Sequence, residues 1–234
     1  MIFSKENTRH TLFCRRKFLA GPMDFIMLSN VSNSLHLKSL FQRCPALQIC
    51  ETSILEAFAI LCDCFRSGSK VLICGNGGSA SDTEHWAGEL LKGFLSKRPM
   101  QNSLREKLGN DLADNLQGSL PVIPLTGFPA LRSAFANDCD DAYGYAQLVL
   151  GLGKPGDVLI GISTSGNAAN VCYAMSTARA LGIKTIALTG GMGGKITALA
   201  DLSIIAPANE VYLIQELHLP IYHCLSLMLE EEFF

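Results

Sequence analysis

The chain has 234 residues, of which 48% are hydrophobic and 17% charged, with a formal net charge of −2 and a mean hydropathy of +0.25. That length gives one domain with a large core, or one domain with helical additions. A pI near 6.2 leaves no basic field for nucleic acid, and the apolarity comes without a membrane span, so part of the surface is expected to be covered by other subunits.

Residues 1–32 hold Arg9, Arg15, Arg16 and Lys17 without a long apolar run, and Asp24 interrupts the one stretch that could serve as a signal core. They read as an extension, disordered or non-native, with Met23 or Met27 as alternative starts, ahead of one domain over 33–234. From Asn33 the pattern is helical, with one segment ending near Pro45 and a second, ETSILEAFAILCDCF, ending at Gly68. Lys70 to Cys74 is a short apolar strand. Gly75 to Ser79, with Asn76, Gly77 and Gly78 inside it, can adopt positive φ and bring bare N–H groups to a ligand. Ser81 or Asp82 is expected to cap the helix that follows. A strand, a glycine loop and a helix start make an anion site, because unsatisfied amides and the helix dipole point the same way. The plain alternative is a tight strand-to-helix turn. Gly75, Gly77 and Ala80 fit the loose dinucleotide fingerprint, but no acidic residue closes a second strand about twenty residues on. The run Gly151 to Gly156 precedes a strand instead of following one.

The polar stretch Ser96 to Ser119 reads as a surface excursion with a helical turn or two. Val122 to Leu125 is the next strand, and Asp157 to Ile162 (DVLIGI) the one after. Between the latter and a helix over Ala168 to Leu181 lies Ser163-Thr164-Ser165-Gly166-Asn167, whose hydroxyls and amides suit a phosphate monoester, though Ser, Thr and Asn are also ordinary cap residues. Two such loops, each following a strand, point to phosphate binding at the switch-point edge of a sheet. Strands at Lys184 to Leu188 and Leu202 to Ile205, then a long helix from about Tyr212, complete an α/β pattern. The expected fold is a doubly wound, parallel, five-stranded sheet flanked by helices, with N-terminal helices added. The nine cysteines are odd in number and mostly in apolar contexts, as in reduced core thiols of a cytoplasmic protein, and Cys62-Asp-Cys64 has no second pair to complete a zinc knuckle.

In this order, GNGGSASDTEHWAGEL, GISTSGN, LTGGMGGK and IQELHLPIYH resemble the sugar isomerase (SIS) fold, and specifically the bacterial phosphoheptose isomerase family, over about Asn33 to Phe234. The resemblance implies conversion of sedoheptulose 7-phosphate to D-glycero-D-manno-heptose 7-phosphate, usually in a homotetramer with active sites at subunit interfaces and often with bound zinc. Position by position, it implies that His85, Glu89, Gln215 and His223 form the catalytic and metal-binding set. Ser79, Ser163, Thr164 and Ser165 match hydroxyls that hold the sugar phosphate, and Asn76, Asn137 and Asp138 match residues lining the sugar pocket. Two positions depart from the pattern: Ala168, where many relatives have serine, and Tyr212, where several have aspartate.

Aldose–ketose isomerisation moves a proton between C1 and C2 through an enediolate, which needs a base beside the carbon and a group that stabilises or protonates the oxygen. Glu89 is the candidate base and His223 its acid/base partner. His85 and Glu89, one helical turn apart, suit Zn²⁺, which would polarise the carbonyl and occupy the lone pairs of its ligands. Gln215 and His223 are eight residues apart, about 12 Å along a helix, with Pro220 between them expected to kink it or mark an irregular turn. An interface site could instead take one residue from each of two chains. His10, His36 and His218 read as solvated or core histidines, and Glu230 to Glu232 as a solvated helix end. Two other readings stay open: a non-catalytic SIS sugar-phosphate sensor or scaffold, whose scaffold lineage lacks counterparts of Glu89 and His223, or an isomerase of another phosphosugar.

Overall fold

The structure is a computed structural model that describes residues 34–234; the extension expected over 1–32, and His10 with it, lies outside the described residues. In chain order the elements are α1 (Leu35–Arg43), α2 (Glu51–Arg66), β1 (Val71–Gly75), α3 (Gly78–Leu91), α4 (Asn102–Leu108), α5 (Asn110–Asn115), β2 (Val122–Pro124), α6 (Pro129–Asp138), α7 (Gly144–Leu152), β3 (Val158–Ser163), α8 (Ala169–Ala180), β4 (Lys184–Gly190), β5 (Leu202–Ala206) and α9 (Val211–Phe233). All five predicted strands are present. The polar excursion forms the short helices α4 and α5.

The strands make one parallel sheet in the order β2-β1-β3-β4-β5. The chain leaves β1 toward β2 and returns to β3 on the other side, so the switch point lies between β1 and β3. There Gly75 pairs in register with Ile162, and Ser163 with Thr189. The glycine loop and the serine loop therefore emerge side by side at the carboxyl edge.

Alternation along the strands builds both cores. Val71, Ile73, Val158 and Ile160 pack with α1, α2, α3 and α9, while Leu72, Cys74 and Leu159 pack with α7 and α8. Each such side chain contributes about 1.5–3 kcal/mol on burial, which is why the strands read as unbroken apolar runs.

Pro45–Arg66 is, by length and composition alone, apolar enough to cross a membrane. In the fold it is a 3₁₀ turn followed by α2, whose Ile54, Ala57, Phe58 and Leu61 belong to the core under the sheet. The cysteines among the described residues are free, and all but Cys44 and Cys139 are buried. Burial pushes thiols such as Cys74 and Cys224 up to about 12, so they are inert packing groups.

Candidate active site

At the end of β1 a methyl group on Gly75 would fall 2.7 Å from the Ser79 carbonyl oxygen, and Gly77 takes φ +54. Glycine at both places lets the chain turn directly from strand into α3. The helix therefore starts at Gly78, ahead of the expected caps. Gly77 is its N-cap with no side-chain cap, and Asp82 turns instead toward Tyr222. Across the switch point, α8 also starts without a side-chain cap. Two helix N-termini whose N-cap residues supply no side-chain acceptor thus meet beside buried Ser79 and Ser163, half-buried Thr164 and exposed Ser165, which is an arrangement suited to an anion.

The loops are tied together by amides. Asn76 and Asn170 exchange two side-chain hydrogen bonds, at 2.8 and 2.9 Å. Asn167 accepts from the Lys195 N–H at 3.1 Å and donates to the Ser165 carbonyl at 2.9 Å, so its side chain braces the serine loop against the GGMGGK loop. A side chain at Gly166 would overlap the Gly193 carbonyl, which gives that glycine-rich loop its purpose as a close backing layer.

Asn137 and Asp138 lie exposed at the end of α6, with Asn137 donating to Asp138 at 2.9 Å. The link from α6 to the glycine loop runs through Arg132, 3.5 Å from the Tyr145 hydroxyl, which in turn donates to the Gly75 carbonyl at 2.5 Å.

A second centre lies along the seam between α3 and α9. A methyl on Gly78 would fall 2.6 Å from Gln215 Nε2, so the bare glycine admits that amide. Further along both helices, His85 Nε2 is 3.4 Å from His223 Nε2 and 3.4 Å from Glu89 Oε1, while Glu89 Oε2 is 3.3 Å from Lys92 Nζ. One ligand atom each from His85, Glu89 and His223 lies within 4.8 Å of the others. Burial, and then the neighbouring His85, hold the His223 imidazole below the ordinary histidine range, so it is neutral at pH 7. Of the kink or irregular turn expected at Pro220, the irregular turn is not formed, and α9 continues through that residue. Gln215 therefore sits at the glycine loop, two turns from the His–Glu–His cluster.

These three residues fit a metal. Tetrahedral zinc with bonds of 2.0–2.1 Å separates its ligands by about 3.3–3.4 Å, and two imidazoles with one carboxylate are a known catalytic donor set that leaves a position open. The two distances from His85 match that spacing.

Beyond Glu89 the seam closes on a group that was expected to be solvated. Glu230 is buried, and it accepts hydrogen bonds from the N–H groups of Phe94, Leu95 and Ser96 and from Arg98 Nε at 2.7, 2.9, 3.2 and 2.8 Å. Burial works to raise its pKa, but these donors outweigh it and the carboxyl sits below its ordinary value. Arg98, 1% exposed, donates its other two nitrogens to the carbonyls of Leu90 and Glu89 at 2.6 and 2.7 Å. Glu231 and Glu232 are exposed as expected. His36 is half-buried and 3.5 Å from Glu231, and His218 is a core histidine, 3.1 Å from the Thr189 carbonyl.

A profile of the SIS domain matches residues 120–190. The phosphoheptose isomerase of Shewanella oneidensis is 35% identical over 202 residues, covering 85% of this chain and 92% of that protein. That of Akkermansia muciniphila is 34% identical over 181 residues, covering 77% and 86%. The chain belongs to the phosphoheptose isomerase family. The solved phosphoheptose isomerase from Francisella tularensis superposes with a TM-score of 0.69 at 29% identity, covering 91% of this chain and all of that one. Within this phosphoheptose isomerase family member, the SIS profile takes in β2 to β4 and the serine loop. The cluster on α3 and α9 lies outside it.

Sequence reasoning missed Tyr222, Arg98 and Asn170. Asn170 becomes legible once β1 and β3 are known to be neighbours. For Arg98 and Tyr222 no local signal exists, because the carboxylate that pairs with Arg98 lies 132 positions away and the partners of the Tyr222 hydroxyl lie 137 and 140 positions away.

Proposed function

We infer that this chain is an aldose–ketose isomerase that converts sedoheptulose 7-phosphate to D-glycero-D-manno-heptose 7-phosphate through an enediolate. The observation that carries the reading is its kinship, near 35% identity across 92% of a phosphoheptose isomerase. The geometry supplies the chemistry. The two uncapped helix starts, with Ser79, Ser163, Thr164 and Ser165, hold the phosphate, while Asn76, Gly77, Gly78 and Asn167 shape the loops around it. Glu89 carries the proton between C1 and C2. Its Oε1 faces His85 and its Oε2 faces Lys92, so one oxygen remains for proton transfer when the other is engaged. His223, neutral at pH 7, offers a lone pair either to a metal or to a proton of the substrate oxygen, and turnover that depends on zinc assigns it to the metal.

His85, Glu89 and His223 are the residues that would hold Zn²⁺, which when bound supplies polarisation of the substrate carbonyl. Gln215 belongs to the substrate side, against Gly78, and joining the ion would require Gln215 from a second subunit. Exposed Leu35, Ile49, Leu91 and Leu95, two of them just past Glu89, support a homotetramer with interface active sites. Free thiols support a cytoplasmic setting.

The test is an assay of the purified protein with sedoheptulose 7-phosphate before and after chelation and zinc repletion, with chromatographic separation of the heptose 7-phosphates. Conversion lost on chelation and restored by zinc is the expected result. Absence of conversion while sugar phosphate still binds would overturn it in favour of another substrate or a sensor role.

A further inference from the structure

Tyr222 matches none of the positions singled out from the sequence, yet it is the residue against which His85 is set. Its ring is fully buried and stacked on Trp86 at a centroid distance of 5.5 Å and an angle of 19°. Its hydroxyl lies 3.2 Å from Asp82 Oδ1 and 3.0 Å from His85 Nδ1. A phenol has one proton to donate, and an ionised carboxylate can only accept. The hydroxyl proton therefore goes to Asp82, and the oxygen lone pair faces His85 Nδ1. A 3.0 Å contact there requires the imidazole proton on Nδ1. In the neutral ring Nε2 is then bare, and Nε2 is the atom that faces Glu89 and His223 at 3.4 Å.

We propose that Tyr222 and Asp82 are positioning residues that fix His85 as its Nδ1–H tautomer and aim its free Nε2 lone pair into the His–Glu–His cluster. The proposal rests on the reading of that cluster as a metal site. Without the relay the Glu89 carboxylate draws the proton to Nε2, and an imidazole protonated at Nε2 donates to Glu89 and cannot ligate there. The relay works because of helix geometry. Asp82 and His85 lie three apart on one face of α3, and the adjacent residues Tyr222 and His223 on α9 engage His85 through different ring nitrogens.

Tyr222→Phe keeps the ring and its stack on Trp86 and removes only the hydroxyl. Two measurements on the full chain without sugar phosphate test the proposal: the protonated imidazole nitrogen of His85 by ¹⁵N-resolved NMR of the metal-free protein, and zinc affinity by competition with a chromophoric chelator. The expected result is Nδ1–H in the wild type, Nε2–H in the variant, and zinc binding weakened about 10–100-fold, with Asp82→Ala moving both readouts the same way. A residue that merely filled space would change thermal stability and leave the tautomer alone. Nε2–H in the wild type, or an unchanged tautomer in Tyr222→Phe, overturns the proposal. Failure of the protein to isomerise sedoheptulose 7-phosphate would sink the functional reading without touching either measurement.

Discussion

The loop cradle at the switch point and the seam between α3 and α9 stand next to each other and are built by different physics. The cradle is backbone: strands end, glycines turn, and two helices start from N-cap residues that supply no side-chain acceptor, all within 75–79 and 163–170. The seam is side chains: His85 and Glu89 come from one helix and Tyr222 and His223 from another, joined by contacts 137 and 138 positions apart. Holding an anion needs local geometry and a dipole, whereas holding a metal or moving a proton needs atoms fixed in position by distant packing. The difference predicts that the two regions fail separately.

The largest separation is expected from Glu89→Gln, which is nearly isosteric. Turnover should fall by a factor of about 10²–10⁴, while calorimetric titration with sugar phosphate shows affinity close to wild type, since the cradle is untouched. Retained turnover would refute the base assignment.

Next in size is Arg98→Leu. It removes the Arg98 donors from the carbonyls of Glu89 and Leu90, of which Leu90 keeps the Leu120 N–H, and leaves Glu230 buried without its cation. Breaking one side of a buried pair costs about 3–5 kcal/mol, read as a lower urea midpoint. The clamp joins the ends of α3 and α9, so turnover should fall with it. Adding Glu230→Leu should recover only part, because the N–H groups of Phe94, Leu95 and Ser96 lose their acceptor as well.

The same contrast explains what could be read in advance. The five strands and both loops were legible because their signals are apolar runs and glycines with local meaning. The start of α3 was misplaced because Ser81 and Asp82 look like caps, while Gly77 at positive φ begins the helix earlier. Glu230 looked solvated because it sits in an acidic run, and its meeting with Arg98 and the N–H groups of Phe94, Leu95 and Ser96, 132 to 136 positions away, buries it. Tyr222 carried no signal beyond being next to His223.

A smaller effect comes from His218, on α9 but facing β4. Burial pushes its pKa down to about 4 from 6.5. Between those values the unfolded chain binds a proton that the folded one excludes, so stability rises with pH through this window and is lost as pH falls from about 6.5 to about 4. The loss amounts to about 3 kcal/mol at the acid end. Urea midpoints taken across this range should slope downward toward acid, and His218→Gln should flatten the slope. An equal slope in both proteins would place the acid sensitivity elsewhere.

The smallest expected effect cuts the comparison most finely. Asn170→Ala removes the reciprocal amide pair with Asn76, a direct side-chain tie between the glycine loop and the start of α8. The pair is exposed, so its net worth is about 1 kcal/mol, or roughly a fivefold change in an equilibrium constant. That loss should appear as a KM for sugar phosphate raised about fivefold, with kcat and zinc affinity unchanged, because Asn170 orders the loop and does not touch α9. If zinc affinity fell as well, the two centres would be coupled through α3, whose first residue lies against Gln215 and whose last turn is held by Arg98. The helix would then transmit the order of the cradle into the position of Glu89.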